Sequence, residues 1–182
     1  MLNQYAIIRA MQTVLTQPLR KFSLVQLAKE SKMAPSAAKY SVEYMLEQGL
    51  IKKEVIGRTH QYQADLNNIL TRQWKILFSL EQISASKLVE HILKLKNVSS
   101  IVLYGSVAIG TDDEKSDIDI VIIADTKKTS DAFHIPVING KEVNIHVYTP
   151  MEWKKKASVN KVFYENVVLS SISLYGEKPV VL

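Results

Sequence analysis

The spacing of hydrophobic positions along the chain predicts three helices near its start. From Gln4 to Thr16 apolar residues recur at near-helical intervals. Ser23 and Gln26 stand at the spacing of a capping box, which predicts the start of a second helix at Ser23. A third helix is predicted from Pro35, because proline is favoured at the first helical position, and Gly49 ends it.

Two short segments with strand character follow the third helix. Leu50 to Ile56 and Thr59 to Gln63 flank the dipeptide Gly57-Arg58, a pattern that predicts a β-hairpin. Three helices followed by a hairpin resemble a winged helix-turn-helix domain. The sequence EQGLI, Glu47 to Ile51, is similar to the junction between recognition helix and wing in that family.

A helical connector is predicted after the hairpin. Glycine and proline are absent between Arg58 and Tyr104, and apolar residues recur there at helical spacing. The pattern predicts one long helix or a helix broken twice, and a break is expected at Ser84 to Ser86. We place the domain boundary near Asp65, with a winged helix at 1–65 and a second domain at 66–182.

The segment from Ile101 to Ile123 carries the candidate chemistry. Two apolar runs with strand character flank a polar stretch that holds Gly105, Ser106 and the acid pair Asp117 and Asp119. Side chains of a strand alternate between faces, so the two carboxylates share one face, about 7 Å apart. Acidic residues in a hairpin often do no more than face solvent and keep the edge of the sheet soluble. The Gly-Ser dipeptide and a D-x-D within a buried-looking strand together favour a site for Mg²⁺ and phosphate.

Gly-Ser, ten intervening residues and the triplet Asp117-Ile118-Asp119 resemble the signature of the DNA polymerase beta-like nucleotidyltransferase superfamily, in particular its minimal members. The resemblance implies a mixed β-sheet flanked by helices and hence an α+β protein. It implies that Gly105 and Ser106 hold an NTP and that the two acids bind Mg²⁺ or Mn²⁺. The metals promote attack at the α-phosphate. Members of the family include toxins and antitoxins that modify a protein or tRNA.

The sequence departs from that family at the third acid. The segments 133–138 and 141–148 predict two strands around an Asn-Gly turn. Active relatives carry a carboxylate at the position most similar to Asn144. An amide ligates through its oxygen but takes no proton near neutral pH. Glu142 and His146 are the alternatives for this third group, and a shift of the alignment would make Glu142 the third acid.

A second departure follows the Gly-Ser dipeptide. Many relatives carry an arginine at the position of Ile109. Without that cation, phosphate binding would be weaker, or another residue such as Lys115 would contact the phosphate instead.

The net charge of +5 lies in the first part of the chain. Through Arg72 there are ten Lys or Arg residues against five Asp or Glu, and from Gln73 onward there are thirteen of each. A basic winged helix suggests DNA as a partner, with the third helix in the major groove. The candidate DNA contacts are Lys32, Ser36, Lys39, Tyr40, Arg58 and His60. The alternative is a winged helix used for dimerisation or protein contact, and a homodimer is plausible in either case.

Cysteine is absent, which excludes disulfides, zinc held by thiolates and a cysteine nucleophile. No apolar run approaches the roughly 18 residues of a membrane span, and the start of the chain lacks a signal-peptide pattern. We therefore expect a cytoplasmic protein. Two functions fit the sequence: a nucleotidyltransferase that acts on a protein, nucleic-acid or small-molecule hydroxyl, or a DNA-binding regulator whose degenerate nucleotidyltransferase domain senses NTP.

Overall fold

The computed structural model describes residues 4–95, 97–125 and 137–181. The chain divides into two compact units, Met1–Phe78 and Ser79–Leu182. Helices and sheets are both present, so the predicted α+β class is confirmed. The boundary between the units lies inside the fourth helix, and the domain boundary near Asp65 stays a prediction.

The first unit begins with the three predicted helices. They are α1 (Ala6–Leu15), α2 (Leu24–Glu30) and α3 (Pro35–Glu47). The capping box of α2 is confirmed: the Gln26 amide nitrogen donates to Ser23 Oγ at 3.3 Å, and the Ser23 amide nitrogen donates to Gln26 Oε1 at 2.8 Å. These two bonds fix the start of α2.

A hairpin of β1 (Ile51–Ile56) and β2 (Thr59–Ala64) follows α3, and its strands pair antiparallel. Gly57 supplies the positive φ, 61°, at the hairpin turn. The helices and the hairpin enclose one core, whose large buried members include Met11, Leu15, Phe22, Leu27, Met45 and Leu50. Three helices and a hairpin on one core form a winged helix, as predicted.

The predicted helix break near Ser86 is confirmed. Helix α4 (Ile69–Ala85) ends there, and α5 (Leu88–Ile92) begins after Lys87, whose φ of 57° lies in the left-handed region. Ser86 Oγ donates to the carbonyl of Ile83 at 2.7 Å and accepts from the amide of Leu88 at 3.3 Å. The hydroxyl thus binds the end of one helix and the start of the next.

The second unit is built on a sheet of four strands in the order β5-β4-β3-β6. The strands are β3 (Val98–Tyr104), β4 (Ile118–Ala124), β5 (Val143–Tyr148) and β6 (Ile172–Gly176). Strands β4 and β5 are parallel and the other pairs antiparallel, so the predicted mixed sheet is confirmed. Helices α6 (Gly105–Ile109), α7 (Pro150–Val159) and α8 (Lys161–Ser170) complete the unit.

Each face of the sheet has its own core. Ile101 and Ile120 belong to a cluster that includes Ile92 of α5. Val121 belongs to the other cluster, which includes Trp153 of α7 and residues of α8. We call these the α5 face and the α7 face. Asp119 lies two residues before Val121 and therefore shares the α7 face.

The Asn139-Gly140 turn before β5 is observed. Ile138 and Lys141 exchange two backbone hydrogen bonds of 3.0 Å, and φ is 50° at Asn139 and 79° at Gly140. Residues 133–136 of the strand predicted before this turn lie outside the described residues. In the ranges that the structure describes, no helix is long and apolar enough to cross a bilayer.

Candidate functional site

Three side chains from adjacent strands form a row across the sheet. Asp119 of β4 pairs with Tyr104 of β3 on one side and with Asn144 of β5 on the other. Asp117 stands immediately before β4. The row lies at the end of the sheet where β3 leads into α6.

Asn144 bridges the two acids. Its Nδ2 donates to Asp117 Oδ2 at 3.1 Å and to Asp119 Oδ1 at 3.4 Å. One amide group therefore reaches both carboxylates, so the acids predicted to share a face do converge. The register also aligns Asn144, rather than Glu142, with Asp119.

The site accumulates negative charge that its surroundings only partly offset. Burial raises the pKa of Asp119, and the charge of Asp117 adds to the rise, while the hydrogen bond from Asn144 and the nearby His146 act in the opposite direction. Burial and the charge of Asp119 also raise the pKa of Tyr104 to about 12. A cation between the carboxylates would relieve this repulsion.

Gly105 begins α6 in direct contact with the carboxylate of Asp119. Its φ is +76°, and a Cβ built at this position would stand 2.6 Å from Asp119 Oδ2. Both the backbone conformation and the close approach require glycine. Ser106 follows in the first turn of α6, half-buried, and Gly110 ends the helix with a φ of 72°. The Gly-Ser dipeptide thus lies directly beside the acids.

A buried ion pair holds the loop that leads into Asp117. Lys141 Nζ lies 3.0 Å from Asp112 Oδ2, and the side chains are only 10% and 4% exposed. The same ammonium donates to the carbonyl of Asp113 and, at 3.3 Å, to the carbonyl of Ser116. The sequence alone does not predict this pair, because neither Lys141 nor Asp112 belongs to a motif and they meet only when β5 pairs with β4.

Glu142 and His146, the alternatives to Asn144 as the third group of the site, lie at different positions relative to the acids. His146 pairs with Val121, one step along the α7 face from Asn144, and its ring is exposed. Glu142 precedes β5 with an exposed side chain, and its carbonyl accepts the amide of Ile118 at 2.9 Å. Ile109 is 45% exposed on α6. These placements leave Asn144 as the side chain nearest the acids on β5.

The donor set fits one kind of metal site. Among the described residues no group of three or more His, Cys, Asp or Glu side chains is placed to hold a metal. Two carboxylates and an amide suit Mg²⁺, which keeps several waters and takes further oxygen ligands from substrate phosphates. The arrangement therefore suits a metal that arrives with a nucleotide better than one held by the protein alone.

In the first unit, the candidate DNA contacts are all exposed: Lys32, Ser36, Lys39, Tyr40, Arg58 and His60. Ala38, Val42 and Met45 of α3 are buried, which leaves Lys39 and Tyr40 on the opposite, solvent-facing side of that helix. Tyr40 is 70% exposed. Exposure is what DNA contact requires, and the contact itself stays a prediction.

The second unit matches a known family. Residues 85–169 match the family model described as "Nucleotidyltransferase domain". The matched range includes Gly105, Ser106, Asp117, Asp119 and Asn144. The chain therefore carries a nucleotidyltransferase domain as well as a winged helix, and the predicted resemblance is confirmed. No curated protein matches the sequence significantly.

Two solved structures resemble part of the chain. A mutant of ZitR from Lactococcus lactis in complex with DNA is 15% identical, with a TM-score of 0.38, over 48% of this chain and 61% of that chain. The chain thus spans less than two thirds of that relative's length. Sso10a-2, a DNA-binding protein from Sulfolobus solfataricus, is 13% identical, with a TM-score of 0.35, over 49% of this chain and 97% of that one.

Proposed function

We propose that this protein is a nucleotidyltransferase that uses Mg²⁺ or Mn²⁺ to transfer a nucleoside monophosphate from an NTP to a hydroxyl acceptor. One observation carries the proposal: two carboxylates converge on Asn144, and one of them, Asp119, lies against Gly105 of the Gly-Ser dipeptide, inside a nucleotidyltransferase domain. A purely structural domain has no need to hold two like charges together in a half-buried place.

The two acids, the Gly-Ser dipeptide and Asn144 each have a role in this proposal. Asp117 and Asp119 hold the metal, and Gly105 and Ser106 receive the triphosphate at the start of α6. A bound Mg²⁺ supplies positive charge that stabilises the phosphates during transfer. Asn144 would ligate the metal through its amide oxygen if its amide group rotated.

The reaction forms a bond between the acceptor oxygen and the α-phosphorus and breaks the bond from that phosphorus to the bridging oxygen, so that pyrophosphate leaves. The acceptor hydroxyl must also lose a proton. An amide takes none, so the candidates for this proton are Glu142 and His146, and His146 lies on the same sheet face as Asn144. The protein otherwise acts by positioning.

A second function is favoured by Asn144 itself. The Asn144 amide donates hydrogen bonds to both carboxylates, so part of their hydrogen-bonding capacity is met without a metal. Asn144 also stands where active relatives carry an acid. On this alternative the domain binds NTP without turnover, and the protein is a DNA-binding regulator that responds to nucleotide. Both functions include DNA binding by the winged helix, and a homodimer would let the protein read paired half-sites.

The deciding experiment is incubation of the protein with each NTP, labelled at the α-phosphate, and Mg²⁺ or Mn²⁺. Label is followed into protein, tRNA and DNA, and pyrophosphate release is measured. The Asp117→Ala, Asp119→Ala double variant is the control. Transfer that disappears in this variant supports the enzyme, and a comparison of Glu142→Gln with His146→Ala identifies the base. Absence of transfer, with metal-dependent NTP binding retained, supports the regulator and overturns the enzyme.

A further inference from the structure

Four aromatic rings lie beside the carboxylate row on the α7 face. We call Tyr104, His146, Tyr148 and Phe163 the aromatic shelf. The ring of Phe163 stands 5.6 Å from Tyr104, 6.3 Å from His146 and 6.4 Å from Tyr148, measured between ring centroids. The ring of His146 is exposed and the other three are half-buried. The shelf therefore offers ring surface to a ligand.

The shelf begins at the reacting centre. Tyr104 pairs with Asp119 across the sheet and directly precedes Gly105. His146 lies two residues beyond Asn144 on the same face of β5, and Tyr148 lies two residues further. A planar group placed on these rings would thus lie next to the acids that hold the metal in the proposed function.

Lysines lie at the far end of the shelf. Lys156 Nζ stands 5.5 Å from the ring centroid of Phe163 and 5.6 Å from that of Tyr148. Lys155 and Lys156 also line a groove of about 370 Å³ beside Tyr148. Glu152 borders the same groove, but its Oε2 accepts the amide and the hydroxyl of Thr149 at 2.8 and 2.9 Å in the cap of α7. Two lysines against this one carboxylate leave the groove with a net positive charge.

The order of these features distinguishes between ligands. In the proposed function the acids at one end of the shelf bind the metal, and the Gly-Ser dipeptide beside them receives the triphosphate. The lysines stand at the other end. A free NTP carries phosphates on only one side of its base. The terminal nucleotide of a single-stranded nucleic acid carries a free hydroxyl on one side of its base and the phosphates of the strand on the other, and proteins bind such strands with aromatic rings and positive charge together.

We propose that the shelf and the lysine groove bind the end of a single-stranded nucleic acid, which is the acceptor of the transferred nucleotide. The terminal base stacks on His146 and Tyr148, and the preceding phosphates lie at Lys155 and Lys156. The terminal hydroxyl then lies beside Asp119. This inference rests on the proposed function, because it names the acceptor of that reaction.

The test is binding of the full chain to a fluorescent single-stranded oligoribonucleotide of mixed sequence, measured by anisotropy over a range of salt. An excess of unlabelled duplex DNA occupies the winged helix. The Lys155→Gln, Lys156→Gln double variant should reduce the slope of log affinity against log salt by about 1.4, since each phosphate contact on a single strand contributes about 0.7. The matched control, Lys87→Gln with Lys94→Gln beside α5, should leave the slope unchanged.

His146 provides an independent measurement. His146→Ala should weaken oligonucleotide binding about tenfold, the order expected for one stacked base, without changing the salt slope. His146→Phe retains a ring and should restore the affinity. Because the side chain is exposed, both variants should fold, which circular dichroism verifies.

Three results would overturn the inference. The first is unchanged affinity and slope in all variants. The second is a loss of NTP affinity in His146→Ala, relative to tripolyphosphate, with oligonucleotide binding intact, which would assign the shelf to the base of the NTP. The third is transfer of label to a protein by a chain that does not bind the oligonucleotide. Binding is also measured in the Asp117→Ala, Asp119→Ala variant, so a failure of catalysis is distinguished from a failure of the shelf.

Discussion

Gly105 and Asp119 are in direct contact, although fourteen positions separate them in the chain: a Cβ on Gly105 would stand 2.6 Å from Asp119 Oδ2. The absence of a side chain at Gly105 therefore determines where the carboxylate of Asp119 lies. The turn that receives phosphate and the strand that carries the acids form one unit through this contact.

Gly105→Ala should reduce nucleotidyl transfer by about a hundredfold, because the added methyl group displaces the carboxylate and a shift near 1 Å at a reacting centre has effects of that order. Because the backbone at Gly105 has a positive φ, which strains alanine, the substitution should also lower the free energy of unfolding by about 1–2 kcal/mol. Transfer rates and urea unfolding measure the two effects.

Gly140→Ala is the matched control for Gly105→Ala. Gly140 has a φ of +79°, and a Cβ added there would meet no described atom within 4 Å. It should show the same loss of stability with transfer retained. Equal transfer by both variants would contradict the argument that Gly105 positions Asp119.

Asp119→Asn should raise the free energy of unfolding near neutral pH in the absence of divalent cations. Burial and Asp117 raise the pKa of Asp119 in the folded protein. A raised carboxyl pKa contributes stability below the pKa of the unfolded state, and this stability is lost as pH rises through the folded value. The neutral amide avoids that loss, so the difference from wild type should vanish in acid. Thermal melts from acid to neutral pH measure it.

Divalent cations should reverse that order of stability. At an Mg²⁺ or Mn²⁺ concentration a hundredfold above its dissociation constant, the wild type should gain about 2.7 kcal/mol. The Asp117→Ala, Asp119→Ala variant should gain nothing. Equal stabilisation of both proteins, measured by thermal melts, would place the metal elsewhere.

Lys141→Met should lower the free energy of unfolding by about 3–5 kcal/mol, because it removes the ammonium that pairs with the buried carboxylate of Asp112. Asp112→Leu combined with Lys141→Met should lose less, since both charges are then removed together. Urea unfolding of the two single variants and the double variant gives the coupling free energy.

The ion pair between the exposed Lys52 and the half-buried Asp65, with N–O distance 2.9 Å, serves as a comparison for Lys141. Lys52→Met should cost at most about 1 kcal/mol, as surface pairs do. A loss as small as this in Lys141→Met would show that the buried pair does not hold the loop.

The sequence predicted those features whose signals are local. The Ser23 capping box, the hairpin at Gly57 and the helix break at Ser86 each depend on residues a few positions apart, and each is present. The Gly-Ser and D-x-D motif could also be recognised in the sequence, because only two strands and a short connection separate its parts.

Features that depend on the pairing of β5 were not predicted in full. The alternation of polar residues placed Asn144 and His146 on one face, but only the parallel register with β4 sets Asn144 between Asp117 and Asp119. The Lys141–Asp112 pair and the aromatic shelf also require elements distant in sequence to pack together. Composition and periodicity contain no signal for such non-local contacts.

Lys39→Gln and Arg58→Gln should each weaken DNA binding by the winged helix and reduce the slope of log affinity against log salt by about 0.9, the contribution of one phosphate contact on duplex DNA. Lys39 lies on the solvent-facing side of α3 and Arg58 at the turn of the wing, and both are exposed. Lys94→Gln makes the same charge change in the second unit and should leave the slope unchanged. Salt titrations of anisotropy on a labelled duplex provide the measurement. Equal slopes in all three variants would favour the alternative in which the winged helix contacts protein.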